Sequence, residues 1–234
     1  MISASAGSTL LAAVVVYSRL FRLLPPTEFR GEIRENLIYT AYPNRTTWWS
    51  PRVGHEVRVT DFGEWQGATA IWRGLFQGGT YVPGTGYPVL VVRVKREGMY
   101  FRAPTDVPLP PGLSLFYDDA SRDLRLVVLF DRCTHLCAYS SWHVETDPGP
   151  SRDYTAPTPT FEVFGQDPVY CLAHGAQFDP LLLVHDVNNR NLVDYVGAAV
   201  VHDPATRALP VIPVKAVDDV LVGGMGDPGW YEYC

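Results

Sequence analysis

The apolar positions of this chain fall in short runs that no helical period connects. After residue 36, no window of about 11 residues shows the three-to-four spacing of an amphipathic helix. The runs read HEVRVT at 55–60, ATAIW at 68–72, VLVVRV at 89–94, LRLVVLF at 124–130, FEVF at 161–164, VYC at 169–171, VDYV at 193–196 and VIPVKAV at 211–217. Breakers separate most of them: Gly78-Gly79, Pro83-Gly84, Gly86, Pro110-Pro111-Gly112 and Pro204. Short strands between frequent turns predict an all-β, antiparallel sandwich or barrel-like fold. Residues 147–160 (DPGPSRDYTAPTPT) have little to bury and read as a loop. No internal repeat is visible.

The N-terminus has a different pattern. Residues 2–17 carry no charge and include LLAAVVVY at 10–17. Arg19 and Arg22 interrupt a second apolar stretch, and Pro25-Pro26 stops any helix. A helix over residues 2–24 would reach roughly 35 Å, against a bilayer core of about 30 Å. A membrane anchor is the leading reading, with both Arg snorkelling to the headgroups. A helix packed among partner subunits in the membrane overlaps with it. A signal peptide fits less well, because no basic region precedes the apolar run. The positive-inside rule would put Arg19 and Arg22 in the cytoplasm, the reverse of what an outward-facing head requires. Residues 25–36 read as a charged connector, residues 37–222 as the folded domain and residues 223–234 as a tail.

Composition agrees with the β reading. The chain has 234 residues, 47% of them hydrophobic, with 20 Pro and 20 Gly, residues that helices avoid and turns use. That is enough for one domain with a core. The formal net charge is −6 and no basic cluster is present, which argues against nucleic acid as a partner.

The chemistry sits in two short motifs. Cys133-Thr134-His135-Leu136-Cys137 follows one strand-like run, and Cys171-Leu172-Ala173-His174-Gly175 follows another. Two loops at strand ends would each present a Cys and a His to one centre. Zinc is one occupant of such a set, but structural zinc loops space Cys by two to four residues and His by three to five. A C-x-H paired with a C-x-x-H fits a 2Fe–2S cluster better, with thiolates on one iron and imidazoles on the other. Neutral imidazoles make that cluster less negative and easier to reduce. The imidazole N–H not bound to iron can lose its proton, coupling reduction to proton uptake.

With these motifs the chain resembles the Rieske protein family. C-T-H-L followed by a further Cys looks like the family's first box, and C-x-x-H-G followed by Ala176, Gln177, Phe178 and Asp179 like its second. Residues 70–74 (AIWRG) and 88–93 (PVLVVR) look like a split form of its W-R-G-x-P-V strand pair. Residues 203–210 (DPATRALP) resemble the segment that returns the chain to the base sheet. The resemblance spans roughly residues 55–217. It is nearest to the Rieske subunit of cytochrome bc-type quinol-oxidising complexes. It implies a base sheet domain, a small cluster-binding subdomain at about residues 131–187 and a preceding apolar helix. The implied ligands of iron are Cys133, His135, Cys171 and His174. Gly175 would permit a tight turn beside the cluster, and Leu136 would cap the first loop and meet a partner's quinone pocket.

The resemblance further implies an electron-transfer subunit that is not catalytic alone. It would take an electron from quinol bound at a cytochrome b-type membrane subunit and pass it to a cytochrome c or a cupredoxin. The chain would be membrane-anchored with its cluster domain on the outer face, and residues 25–36 would tether the moving head. The alternative is a Rieske-type ferredoxin serving an oxygenase or another soluble redox system. No second iron site of two His and a carboxylate is evident, so the chain is not itself an oxygenase.

Three departures from the family pattern matter. The first box lacks the Gly that usually precedes its second Cys. Ala173 stands where the second box usually has Cys, so the family's inter-loop disulfide cannot form. Cys137 is then expected to stay unpaired, since Cys234 lies at the far terminus. Ala176 and Phe178 stand where high-potential members place a Ser and a Tyr that donate hydrogen bonds. Without those donors the expected potential lies in the lower part of the roughly −150 to +300 mV Rieske range. His55, His143, His185 and His202 have no matching partners and read as surface or locally bonded. Trp48, Trp49 and Trp142 read as core.

Overall fold

The computed structural model describes residues 31–94, 96, 101–142, 169–225 and 234. The proposed anchor at 2–24, the loop at 147–160, the run at 161–164 and His143 lie outside them. Contacts divide the chain into Met1–Glu32 and Ile33–Cys234, and the second unit is the one described below. Among the described residues no helix is long and apolar enough to cross a membrane.

The described part of the chain is all-β with antiparallel sheets. In chain order its strands are β1 (Gly31–Arg34), β2 (Ile38–Tyr39), β3 (Gly67–Trp72), β4 (Gly74–Gln77), β5 (Thr80–Tyr81), β6 (Tyr87–Val94), β7 (Tyr117–Asp119), β8 (Leu124–Phe130), β9 (Ser140–Ser141), β10 (Val169–Cys171), β11 (Gln177–Val187), β12 (Asp194–His202), β13 (Leu209–Pro210), β14 (Val214–Val217) and β15 (Val220–Gly223). The only helical elements among the described residues are three short 3-10 turns. Two five-stranded sheets dominate, one in the order β2-β3-β6-β8-β7 and the other β13-β12-β11-β10-β9.

The centre of the first sheet explains the unbroken apolar runs. Strands that are polar on one face alternate in sequence, whereas strands covered on both faces do not. Val89 and Val91 of β6, with Leu126 and Val128 of β8, face one core together with Trp49 and Trp72. Leu90 and Val92 of β6, with Val127 and Leu129 of β8, face a second core. That second core also holds Cys133, Cys171, Trp142, Phe178 and Leu181. The two cysteines are thus buried between the two large sheets.

Several sequence expectations meet the structure directly. Residues 68–72 and 88–93 do pair, Ile71 opposite Pro88 and Trp72 opposite Tyr87, with the β4–β5 hairpin between them. Residues 203–210 do lead back to the first sheet. After β13 pairs with β12, Val211 bridges Leu129 and the Ile212 N–H donates to Val128 O at 2.8 Å.

Others differ. The connector's last residues, Gly31–Arg34, form β1. The run at 55–60 is not a strand: Glu56 and Arg58 bridge singly to Ile38 and Val220, and Val59–Asp61 then turns as a 3-10 helix. The longest strand, β11, is absent from the predicted runs. Its register jumps from Asp179 opposite Ala199 to Leu183 opposite Ala198, so the residues between leave the ladder. Pro180, which has no N–H to give, sits in that bulge, and Arg102 pairs there instead through bonds to Leu181 O and from Leu183 N. The broken alternation hides the strand.

Trp142, just past β9, joins the second sheet to the first one. Its indole N–H donates to Trp65 O at 2.7 Å and its ring stacks on Trp65 at 6.1 Å between centroids. A Cβ at Gly67 would sit 3.0 Å from the indole, tighter than ordinary contact, so glycine lets the ring lie close. Truncation to Ala removes a fully buried Trp and leaves a cavity. Trp142→Ala should cost about 3–5 kcal/mol, read from urea denaturation, and should loosen the first Cys/His loop; a loss below about 1 kcal/mol would contradict this role.

Candidate metal centre

The two Cys/His loops are built to the same backbone plan. In the first, Cys133 N–H donates to Ala138 O at 2.7 Å and Cys137 N–H donates back to Cys133 O at 2.8 Å. In the second, Cys171 N–H donates to Ala176 O at 2.8 Å and Gly175 N–H donates back to Cys171 O at 2.9 Å. Each turn therefore closes on its own cysteine. The fifth residue of each has positive φ, 86° at Gly175 and 62° at Cys137. Gly175 adopts this region freely, whereas a residue with a Cβ pays roughly 1–2 kcal/mol there. Cys137 occupies that left-handed position despite its side chain.

This plan brings the four side chains together in pairs. Cys133 and Cys171 are fully buried, and their thiol groups share a hydrogen bond. The His135 and His174 rings lie edge to face with centroids 4.9 Å apart. His174 is exposed and His135 half-buried. Among the described residues, no three His, Cys, Asp or Glu side chains gather around one point as ligands of a single ion.

Electrostatics distinguish the two sulfurs. The hydrogen bond to Cys171, then burial, pushes the Cys133 thiol up. The hydrogen bond from Cys133 pulls Cys171 down, helped by the backbone N–H groups of Ala173 and His174. The N–H groups of His135 and Leu136 serve Cys133 in the same way. Each loop thus aims two amides at its own sulfur, an arrangement that favours thiolates. His135 Nδ1 is buried and has no hydrogen-bond partner. A buried lone nitrogen is costly unless something binds it.

The surroundings hold the loops still. Thr134 Oγ1 donates to Arg207 O at 2.6 Å, and the Arg207 guanidinium donates to Thr134 O at 3.0 Å. The returning segment thereby grips the first loop. Arg132 lies over the Tyr139 ring at 3.9 Å and donates to Cys137 O at 3.2 Å. Asp131 is buried, and burial pushes its carboxyl up to about 7 although Ser140 N–H donates to it at 2.8 Å. A cleft of about 760 Å³, lined in part by Ile71, Pro88, Tyr139 and Leu172, opens beside both loops. The loop tips are apolar and exposed: Leu136 is 64% accessible, Tyr139 53% and Leu172 45%.

One expectation is corrected. Cys137 is not unpaired: it forms a disulfide with Cys234, 97 residues away. The count of cysteines carries the signal, since setting Cys133 and Cys171 aside as candidate ligands leaves two others in a chain of four. Other residues that the motifs did not reveal are Thr134 with Arg207, Arg132 and Ser140, whose partners come from distant or irregular backbone. Of the remaining His, His202 is locally bonded, meeting its neighbour Asp203 O, whereas exposed His185 meets Asp106, 79 residues away, at 3.1 Å. Trp48 and Trp49 pack in the first core.

No model of a known protein family matches the chain, and no curated protein matches it.

The disulfide ties the first loop to the C-terminus and closes a loop of about 97 residues. Cross-links of that span typically contribute about 2–4 kcal/mol. Cys234→Ser should lower stability by that order in non-reducing thermal denaturation, and reductant should lower the wild type to the same level. Equal melting temperatures for both proteins would show that the staple contributes nothing.

Proposed function

We propose that Cys133, Cys171, His135 and His174 hold a 2Fe–2S cluster of the Rieske type, and that the chain is a one-electron carrier. The observation that carries this reading is the pairwise arrangement of the four side chains, with His135 Nδ1 buried and unpartnered beside His174. A single tetrahedral ion needs its ligands around one point. A cluster of two irons needs two sets of two, thiolates on one and imidazoles on the other. Two buried sulfurs and two imidazoles nearer the surface match that division.

When bound, the cluster would supply the one-electron chemistry. The protein's own groups do the rest. The amides of His135, Leu136, Ala173 and His174 favour the charged sulfurs. Exposed His174 presents an imidazole to a partner. Leu136 and Leu172 form an apolar rim around that imidazole, suited to docking against an apolar quinol pocket.

The reading extends to a Rieske subunit working with a cytochrome b-type membrane protein. It takes electrons from quinol and gives them to a cytochrome c or cupredoxin. The pairing of Cys137 supports this over a soluble ferredoxin, because a first loop with no disulfide is the feature that favours the ferredoxin. On this reading residues 2–24 anchor the chain and the cluster domain faces outward.

The test is spectroscopic. The purified protein should be coloured, and the dithionite-reduced form should give a rhombic low-temperature EPR signal with nitrogen hyperfine coupling from two imidazoles. Cys133→Ser and His174→Ala should each abolish it. A colourless protein containing zinc and no iron would overturn the proposal.

A further inference from the structure

One buried hydroxyl near the sulfur pair is left without a partner. Ser140 is 1% exposed, and its Oγ makes no hydrogen bond. A buried polar group left unsatisfied is destabilising, so a fold that keeps one has reason to offer it to something. Its position says to what. In the β9–β10 ladder Ser140 lies directly opposite Cys171. Directly opposed residues point their side chains to the same face. The N–H of Ser140 goes to Asp131 Oδ1 and that of Cys171 to Ala176 O, both at 2.8 Å, so neither crosses the ladder. That makes them a non-hydrogen-bonded pair, the closer kind, with Cα atoms typically about 4.5 Å apart. The Ser140 amide is committed, and only its hydroxyl is free to turn.

We propose that Ser140 is a tuning residue, whose hydroxyl donates a hydrogen bond to the sulfurs on the Cys171 side of the bound cluster. The proposal rests on the cluster reading above. A donor to sulfur stabilises the reduced, more negative state and raises the potential. Ser140 acts from the first loop, where the second loop has only Ala176 and Phe178, both fully buried. The potential is then higher than the second loop alone implies. Because the donor stands in the strand leading out of the first loop, it also depends on that loop's closure.

The experiment uses the full-length holoprotein and compares Ser140→Ala, Ser140→Thr and Ser140→Val by protein-film voltammetry, with EPR on the same samples. Thr and Val share a shape and differ in the hydroxyl. The expected result is a more negative midpoint for Ala and Val, with Thr close to wild type and the EPR line shape of two imidazole ligands kept throughout. A wild-type midpoint in Ser140→Ala overturns the proposal. So does a common shift of Thr and Val, which would make the effect one of packing. Loss of iron from Ala and Val while Thr stays loaded also overturns it, since the hydroxyl would then hold the site and not tune it. Absence of any cluster signal in the wild type overturns the parent reading; a normal wild-type signal with unmoved midpoints overturns this one alone.

Discussion

Everything at the candidate centre depends on two backbone turns that each close on their own cysteine. In both, the cysteine N–H reaches forward to a carbonyl five residues on, and an amide four residues on reaches back to the cysteine carbonyl. This fixes where the sulfur points and turns the intervening amides toward it. It also requires a left-handed residue at the fifth position, which Gly175 supplies freely and Cys137 supplies under constraint. The histidines sit on these turns at the third and fourth positions, so their rings meet only because both turns hold.

Short turns are held by few bonds of their own, and the rest of the fold supplies the rigidity. β9 and β10 pair beside the loops, and Trp142 fastens the end of β9 to Trp65. The second core packs against one face of β6 and β8, and both sulfur-bearing residues are fully buried in it. Arg207 and Thr134 bind the returning segment to the first turn. The Cys137–Cys234 bond adds a covalent tie from the C-terminus to the same turn. The first loop, which lacks the glycine, is the one that receives this extra support. On the cluster reading, a disulfide between the two loops is replaced here by one from the first loop to the chain's end.

Much of this was legible in the sequence. The runs at 89–94 and 124–130 became β6 and β8 because they are apolar on both faces and bounded by turn residues. The two Cys/His motifs stand out as candidate ligands from residue type and spacing, and in the structure Cys133 lies by Cys171 and His135 by His174. What escaped detection shares one physical cause: it depends on contacts that leave no local pattern. β11 was hidden because its bulge around Pro180 breaks the alternation and its missing partner is Arg102, far upstream. Ser140 carries no local signal in the sequence, and only strand pairing shows it opposite Cys171. Cys234 looked like part of a tail, because nothing local ties it to a residue 97 positions earlier. The likeness of the two turns was obscured by their sequences, Cys137 standing where Gly175 stands in the other.

The most direct test of the account is Mössbauer spectroscopy of the protein loaded with iron-57. The account predicts two irons per chain in equal amounts with distinct isomer shifts and, after one-electron reduction, localisation of the ferrous character on the imidazole-bound site. A single class of iron, or a chain that retains none after folding in its presence, would contradict it.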